Sequence, residues 1–281
     1  MYRVKKVLNH NAVIGIHFET NKEYLLMGKG IGFGKKITER IEAREEDIVY
    51  SLQEATNRGD ARKLAATINP IYLEIANEIL TIAEKEFQTI DRNVLFPLAD
   101  HIEFAVKRLI TNKQISNPLT NDIRILFYKE FKVACSAREI LKKHVDVDID
   151  DDEIGYICLH IHSAIQDEDV SQAMQIARAV RECISLVEKV TGKEINVTTL
   201  SYNRLMNHVR NMVARVINKE PLKLSMNDYI SFQFPEAFSM AKHICGEVEK
   251  MLKCPLSDAE IGYLAMHLER VALDELESKN D

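Results

Sequence analysis

Two pairs of histidines stand at the same spacing in this chain. His101 and His160 are 59 residues apart, and so are His208 and His267. An arginine follows the first histidine of each pair by seven residues, Arg108 in one case and Arg215 in the other. Neutral imidazole offers a ring nitrogen as nucleophile, and a guanidinium pairs with an arriving phosphate through parallel N–H···O bonds. The combination suits phosphoryl acceptance. Two other readings fit the same residues: helix-flank histidines bonded to a neighbouring backbone group or carboxylate, and metal ligation. The metal reading has least behind it, because no HExxH motif or carboxylate-rich cluster accompanies the histidines. His10, His17, His144 and His243 have no partner of this kind, and His162 points to a different side of its helix from His160.

The elements that must position these residues belong to a duplicated helical unit. Residues 101–163 slide onto 208–270 without a gap, with fifteen of 63 positions identical. The matches include His101/His208, Arg108/Arg215, Phe127/Phe234, Phe131/Phe238 and Ala134/Ala241. Glu153-Ile154-Gly155-Tyr156 likewise repeats as Glu260-Ile261-Gly262-Tyr263, followed by His160 and His267. Self-similarity at a fixed offset is the mark of a repeated structural unit. Apolar spacing takes the helical period from about Leu64 onward and predicts amphipathic helices over Ile68–Phe87, Val94–Ile110, Asp122–His144 and Glu153–Ile165. Asp150-x-x-Glu153 and Ser257-x-x-Glu260 read as capping boxes that open equivalent helices. On these helices His160 falls roughly 115°, and His101 roughly 110°, from the centre of the apolar stripe. Both are therefore expected at a half-exposed flank.

The first fifty residues are of another kind. Lys6–Leu8, Ala12–Phe18, Glu23–Met27 and Ile48–Leu52 are short β-prone runs, with a turn at Glu19–Lys22. Four of the ten glycines, Gly28, Gly30, Gly32 and Gly34, crowd into seven residues. Residues 1–41 carry eight Lys/Arg and three Glu, a net of +5, whereas the remaining 240 carry a net of −11. A basic head on an acidic body indicates an electrostatic partner for the head. Asn9 and Asn11 alternate with apolar residues, so their amides project together. Lys5, Lys6, Lys29, Lys35 and Lys36 attract phosphate. Phe33 is either a stacking platform for a base or part of the core. The glycines fail the dinucleotide fingerprint GxGxxG at Phe33, and no βαβ unit follows. A sheet this small is marginal alone and is expected to dimerise.

The fold class that follows is a small antiparallel β-sheet domain (1–56) and two homologous all-α helical-bundle domains (64–170 and 171–281), with Gln53–Lys63 as linker. No apolar run approaches the roughly 20 residues that span a bilayer, so no membrane insertion is expected. Five scattered cysteines without a CxxC pair fit a reducing cytoplasm. Neither a metal nor a cofactor is expected.

Lys6-Val7-Leu8-Asn9-x-Asn11, followed by Met27-Gly28-Lys29-Gly30-Ile31-Gly32-Phe33-Gly34-Lys35-Lys36, resembles the co-antiterminator RNA-binding domain of BglG/SacY-type transcriptional antiterminators. Asp100-His101-Ile102-x-Phe104-Ala105-x-x-Arg108 and Glu153-Ile154-Gly155-Tyr156-x-x-Leu159-His160 resemble the regulation domains of the same family, which answer to the sugar phosphotransferase system. The resemblance covers essentially the whole chain in family order, and the tail Ile161-His162-Ser163-Ala164 is similar to the glucose-operon branch. It implies a homodimer that grips a leader mRNA hairpin through Lys6, Asn9, Asn11, Gly28, Lys29 and Phe33. The gripped hairpin excludes an overlapping terminator in a sugar-utilisation operon. It further implies phosphorylation of His101, His160, His208 and His267 by HPr and a sugar-specific enzyme II, with Arg108 and Arg215 supporting the phosphate. No turnover is implied, so the chain is expected not to be an enzyme. The second copy departs from the pattern: Asn207 replaces Asp100, and Asn211-Met212 replaces Phe104-Ala105.

Two rivals make other demands. A helical enzyme using the histidine pairs would show bound metal or turnover. A DNA-binding repressor would open on a helix-turn-helix, where this chain reads as strands.

Overall fold

Alternating apolar residues in the first fifty positions build a five-stranded antiparallel sheet. Its strands are β1 (Tyr2–Asn9), β2 (Ala12–His17), β3 (Glu23–Met27), β4 (Arg40–Ile41) and β5 (Ile48–Ser51), in spatial order β4-β1-β2-β3-β5. Register sorts the side chains. Val13 lies opposite Val7 and Leu26, and this face packs with Val4, Ile31 and Ile41 into the core of the head. One residue further, Ile14 and Leu25 pair, and Leu25 pairs with Tyr50, on the other face. Side chains alternate across a strand, so these two sets cannot share a core.

The second face is covered by helices of the same chain. The Tyr50 ring meets Phe96 edge-on at 6.0 Å, and its hydroxyl donates to Asn77 Oδ1 at 2.7 Å. Part of the surface that so small a sheet needs thus comes from its own helical neighbour. Burial drives the Tyr50 hydroxyl up to about 12, against the opposing pull of Arg92.

The computed structural model describes residues 1–52, 55–56, 59–166, 169–192 and 199–277. They fall into two units, Met1–Ala173 and Met174–Asp281. After the head, β6 (Ala55–Thr56) pairs with β7 (Gly59–Asp60) and runs into α1 (Ala61–Thr67). The expected linker Gln53–Lys63 is therefore corrected at its end: Ala61–Lys63 are helical, in a run of good helix formers that the sequence reading began only at Leu64. Gln53, Glu54, Asn57 and Arg58 lie outside the described residues.

The first bundle consists of α1, α2 (Pro70–Phe87), α3 (Leu95–Ile110), α4 (Thr120–Leu126), α5 (Tyr128–Ala134), α6 (Ala137–Val145) and α7 (Asp151–Ile165). Asn69 caps α2 by accepting from the Ile71 N–H, and Pro70 follows at a position where a missing donor does no harm. Asp150 caps α7 through a 3.0 Å bond from the Glu153 N–H, as the capping-box spacing predicts. The single helix expected over Asp122–His144 is three helices. Phe127 breaks the first junction with φ −120° and ψ 46°, sinking its ring into the core. At the second junction, the Ser136 hydroxyl bonds back to the Val133 carbonyl.

The second unit holds α8 (Val170–Thr191, begun at the end of the first), α9 (Leu200–Asn218), α10 (Asn227–Gln233), α11 (Pro235–Leu252) and α12 (Ala259–Glu277). Shifted by the repeat offset, α3 falls on α9, α4 on α10, and α7 on α12. The α5–α6 pair falls on the continuous α11. Phe234, the counterpart of Phe127, adopts the same non-helical backbone at φ −134° and ψ 63°. Both bundles place the glycine of the repeated Glu-Ile-Gly-Tyr run under the start of the preceding short helix. A Cβ on Gly262 would come within 2.6 Å of Asn227, whose Oδ1 accepts from the Gly262 N–H.

Candidate phosphoryl-acceptor sites and RNA-facing loop

Helices α3 and α7 bring together residues far apart in sequence. The rings of His101 and His160 lie 5.3 Å apart at 40°, with Tyr156 5.5 Å from His101. The second copy repeats the arrangement. His208 and His267 stack at 4.8 Å and 27°, and Tyr263 stacks 6.3 Å from His208. The 59-residue spacing is thus the distance in sequence between two facing helices.

Each pair is served by an arginine and a buried glutamate. Arg108 Nη2 donates to Glu153 Oε1 at 2.7 Å, and His101 Nε2 lies 3.3 Å from Glu153 Oε2 without the alignment of a hydrogen bond. Arg215 grips Glu260 with two bonds of 2.8 Å, while His208 Nε2 stands 3.9 Å from Glu260 Oε2. Burial by itself would raise the Glu153 carboxyl. His101 and Arg108 outweigh it and hold the group below the usual carboxylate range. The sequence presented Glu153 and Glu260 only as capping residues. Their identity in both copies was the signal that they do more.

The expected flank position is met by His101, whose side chain is 17% exposed, and not by His160, which is buried. Helix α7 packs against α2, α3, α4 and α5 and so has no solvent face for a residue off its apolar stripe. Burial and the neighbouring His101 depress His160 to about 3. Burial, His267 and Arg215 do the same to His208. His267 is lowered by burial and by Arg270 and Arg204. His160 and His208 are therefore neutral at physiological pH. Moreover, His101 Nε2, His160 Nδ1, His208 Nε2 and His267 Nδ1 are buried nitrogens without a hydrogen-bond partner among the described residues. The same ring nitrogen is left over at each equivalent position. Unsatisfied buried polar atoms are uncommon and call for a reason.

Because the folded values of His160 and His208 lie below the ordinary 6.5, the unfolded chain takes up protons first as pH falls. The stability gained by keeping each ring neutral is complete above the ordinary value and is lost between there and about 3. Its slope approaches ~1.4 kcal/mol per pH unit for each ring. Replacing His160 with Gln is expected to flatten the acid limb in urea denaturation run from pH 7 to 4. An unchanged limb would mean that the ring protonates freely in the folded state.

In the head, the β1–β2 turn and the glycine loop are tied together. Asn11 Oδ1 accepts from the Gly30 N–H at 2.8 Å, and the Asn11 N–H donates to Asn9 Oδ1 at 2.9 Å. Gly30 has φ +74°, a conformation that favours glycine, and a Cβ on Gly28 would overlap the Asp47 carboxylate at 1.6 Å. Arg44 clamps that carboxylate and also donates to the Lys29 carbonyl. Lys6 and Lys29 are exposed. Of the two readings of Phe33 the core is excluded: its ring is 69% exposed, edge-on to His10 at 5.2 Å.

Known proteins combine these parts. The CAT RNA-binding domain model matches residues 2–58, and the PRD domain model matches twice, at 74–164 and 181–271. Protein GlcT of Staphylococcus haemolyticus is 31% identical over 95% of both chains. The chain belongs to the BglG/SacY family of transcriptional antiterminators. The head is its CAT domain, and the repeated bundles are its two PRDs. The β-glucoside operon antiterminator of Dickeya chrysanthemi is 27% identical over 96% of each chain. A crystal structure of GlcT CAT-PRDI superposes with a TM-score of 0.51 at 30% identity, covering 59% of this chain and 98% of that one. No described helix is long and apolar enough to cross a membrane.

Proposed function

We propose that this antiterminator acts as a dimer on a hairpin in nascent leader mRNA, stabilising it against an overlapping terminator, and that histidine phosphorylation by the sugar phosphotransferase system sets its activity. One relative is named for a β-glucoside operon and another for the glcA and glcB genes, and a sugar-utilisation operon of the glucose or β-glucoside kind is the proposed target. RNA is held by Lys6, Asn9, Asn11, Gly28, Lys29 and Phe33, combining phosphate attraction, amide donors and an exposed ring for stacking. His101 and His160 accept phosphoryl groups in the first PRD, and His208 and His267 in the second. The donors are phosphorylated HPr and a sugar-specific enzyme II. The chain turns over no substrate.

The observation that carries this reading is a pair of facing histidine rings in each PRD, each ring with a buried nitrogen that has no hydrogen-bond partner among the described residues, and burial holding His160 and His208 neutral. An imidazole lone pair forms the new N–P bond as the bond between phosphorus and the donor's own side chain breaks, and that side chain leaves with the bonding electrons. The incoming group adds about 1.5 to 2 negative charges beside Glu153 or Glu260. It competes for Arg108 or Arg215, now held by that glutamate, and it repels the glutamate. Contact between α3 and α7, or between α9 and α12, is thereby remodelled. In a body already net negative, added charge near a two-fold interface also weakens dimerisation and so lowers the effective concentration of one CAT domain for the other.

A chain with His101→Ala and His160→Ala is expected to give readthrough of a leader-reporter fusion without inducing sugar. It should also take up less acid-labile phosphate from phosphoenolpyruvate, enzyme I, HPr and enzyme II. A variant that still needs the sugar removes the first PRD from this scheme.

A further inference from the structure

The amides that would read RNA are already engaged. Asn9 Nδ2 donates to Glu74 Oε1 at 2.5 Å, and Asn11 Nδ2 donates to Glu74 Oε2 at 3.0 Å. Glu74 belongs to α2, the first full helix of the first PRD, and its two carboxylate oxygens each take one asparagine. The contact sits at the edge of a cleft of about 430 Å³. One wall of the cleft is Asn11, Gly28 and Lys29 of the CAT domain, and the other includes Glu74, Asn77 and Glu78. Three of the six proposed RNA contacts therefore face two carboxylates. Lys29 and Lys85 also line the cleft, so the obstacle to RNA is the engagement of the amides: neither can serve a base while it serves Glu74.

We infer that Glu74 is a built-in competitor of RNA: its carboxylate occupies Asn9 and Asn11 and holds the CAT domain closed on the first PRD. The inference rests on the proposed role of these asparagines in RNA binding. The partner that Glu74 imitates is the acceptor-rich surface of the nucleic acid. Two features fit a lock that can be released. The contact is polar and half-buried, so water can replace it when it opens. The same helix packs directly on α3, which carries His101 and Arg108, so a change of packing at the histidine pair bears on the helix that holds Glu74. Glu78, one turn along, is spent differently. It binds Lys143 and His144 within its own bundle, and so lines the cleft without touching the asparagines.

The test uses the full chain and, as probe, the leader-transcript hairpin that precedes the sugar-permease gene nearest its own coding sequence. Glu74→Ala and the gentler Glu74→Gln are compared with Glu78→Gln, which removes the same charge from the same cleft but breaks no contact with Asn9 or Asn11. The Glu74 variants are expected to bind on the order of tenfold tighter, as when only about a tenth of wild-type molecules are open. Asn11→Ala in the Glu74→Ala background should abolish that gain. Equal affinity of wild type and both Glu74 variants, with Asn11→Ala still losing binding, overturns the lock and leaves the RNA reading standing. An equal gain from Glu78→Gln overturns it too, since loss of repulsion alone would then suffice. Absence of hairpin binding by every variant, the open ones included, overturns the lock together with the RNA assignment.

Discussion

An Asn11→Ala chain is expected to lose hairpin binding by roughly two orders of magnitude while remaining folded. Asn11 does two jobs in the CAT domain. Its Oδ1 holds the Gly30 N–H, which fixes a loop that runs through a left-handed glycine and presents Lys29 and Phe33. Its Nδ2 is the donor proposed to meet RNA. Alanine removes both, at ~1 kcal/mol for the loop bond and ~2 kcal/mol for the lost contact. A sum of ~3 kcal/mol corresponds to about a hundredfold in affinity. Asn11→Asp separates the two jobs, because it keeps an acceptor for Gly30 and removes the donor. Asn11 Nδ2 also donates to Glu74, and an aspartate there would set two carboxylates against each other, so the comparison is made in the Glu74→Ala background. The aspartate chain is expected to keep that background's melting temperature and still fail to bind, whereas the alanine chain melts slightly lower. Fluorescence anisotropy with labelled hairpin, alongside thermal unfolding, reads both. Wild-type affinity in the alanine chain would remove Asn11 from the interface.

Much of this architecture was legible before any coordinates, because it is written in local period. Glu23–Met27 was read with its observed limits, and Ile68–Phe87 and Val94–Ile110 lay within two residues of theirs at either end. Arg40–Ile41 was not legible as a strand, since two residues carry no alternation and pair only because β1 is beside them. The helix expected over Asp122–His144 failed for a different reason. Its apolar period continues through Phe127, but the fold needs that ring inside and bends the backbone to put it there. The histidine pairing was legible as a spacing and the duplication as an offset. The depth of His160 was not. Distance from an apolar stripe measures exposure only for a helix with a wet face, and α7 has neighbours all round. The closest reading of the run Ile154–Ile165 is that it is nearly apolar throughout, which is the signature of a central helix. Contacts between domains had no local signal at all: nothing in Glu74 or Asn77 sets them apart from other polar residues of α2, yet they receive Asn9, Asn11 and Tyr50.

A large loss of stability is expected from Glu153→Ala. Glu153 is 1% exposed and joins α7 to α3 by accepting from Arg108 while facing His101. Alanine would leave the guanidinium beside an apolar core with no counter-ion. Removing one partner of a buried pair typically costs 3–5 kcal/mol. Arg108 keeps 28% of its side-chain surface in water, which places the expected loss near the lower end, at ~3 kcal/mol. For a unit of this size that lowers the melting temperature by roughly 10 °C. Glu260→Ala should be worse, because both Glu260 oxygens are bonded to Arg215. The size of the loss does not measure the strength of the ion pair. Two charges that leave water together recover little more than their desolvation, so Arg108→Met combined with Glu153→Leu is expected to be closer to wild type than Glu153→Ala alone. That ordering bears on regulation. If the pair were strongly stabilising, a phosphate on His101 could not draw Arg108 away from Glu153 without unfolding the bundle. If the pair is near balance, the phosphate can take the arginine and α3 can shift against α7 while both stay folded. A double variant as unstable as the single one would show that the pair is a clamp, and the switch would have to lie elsewhere.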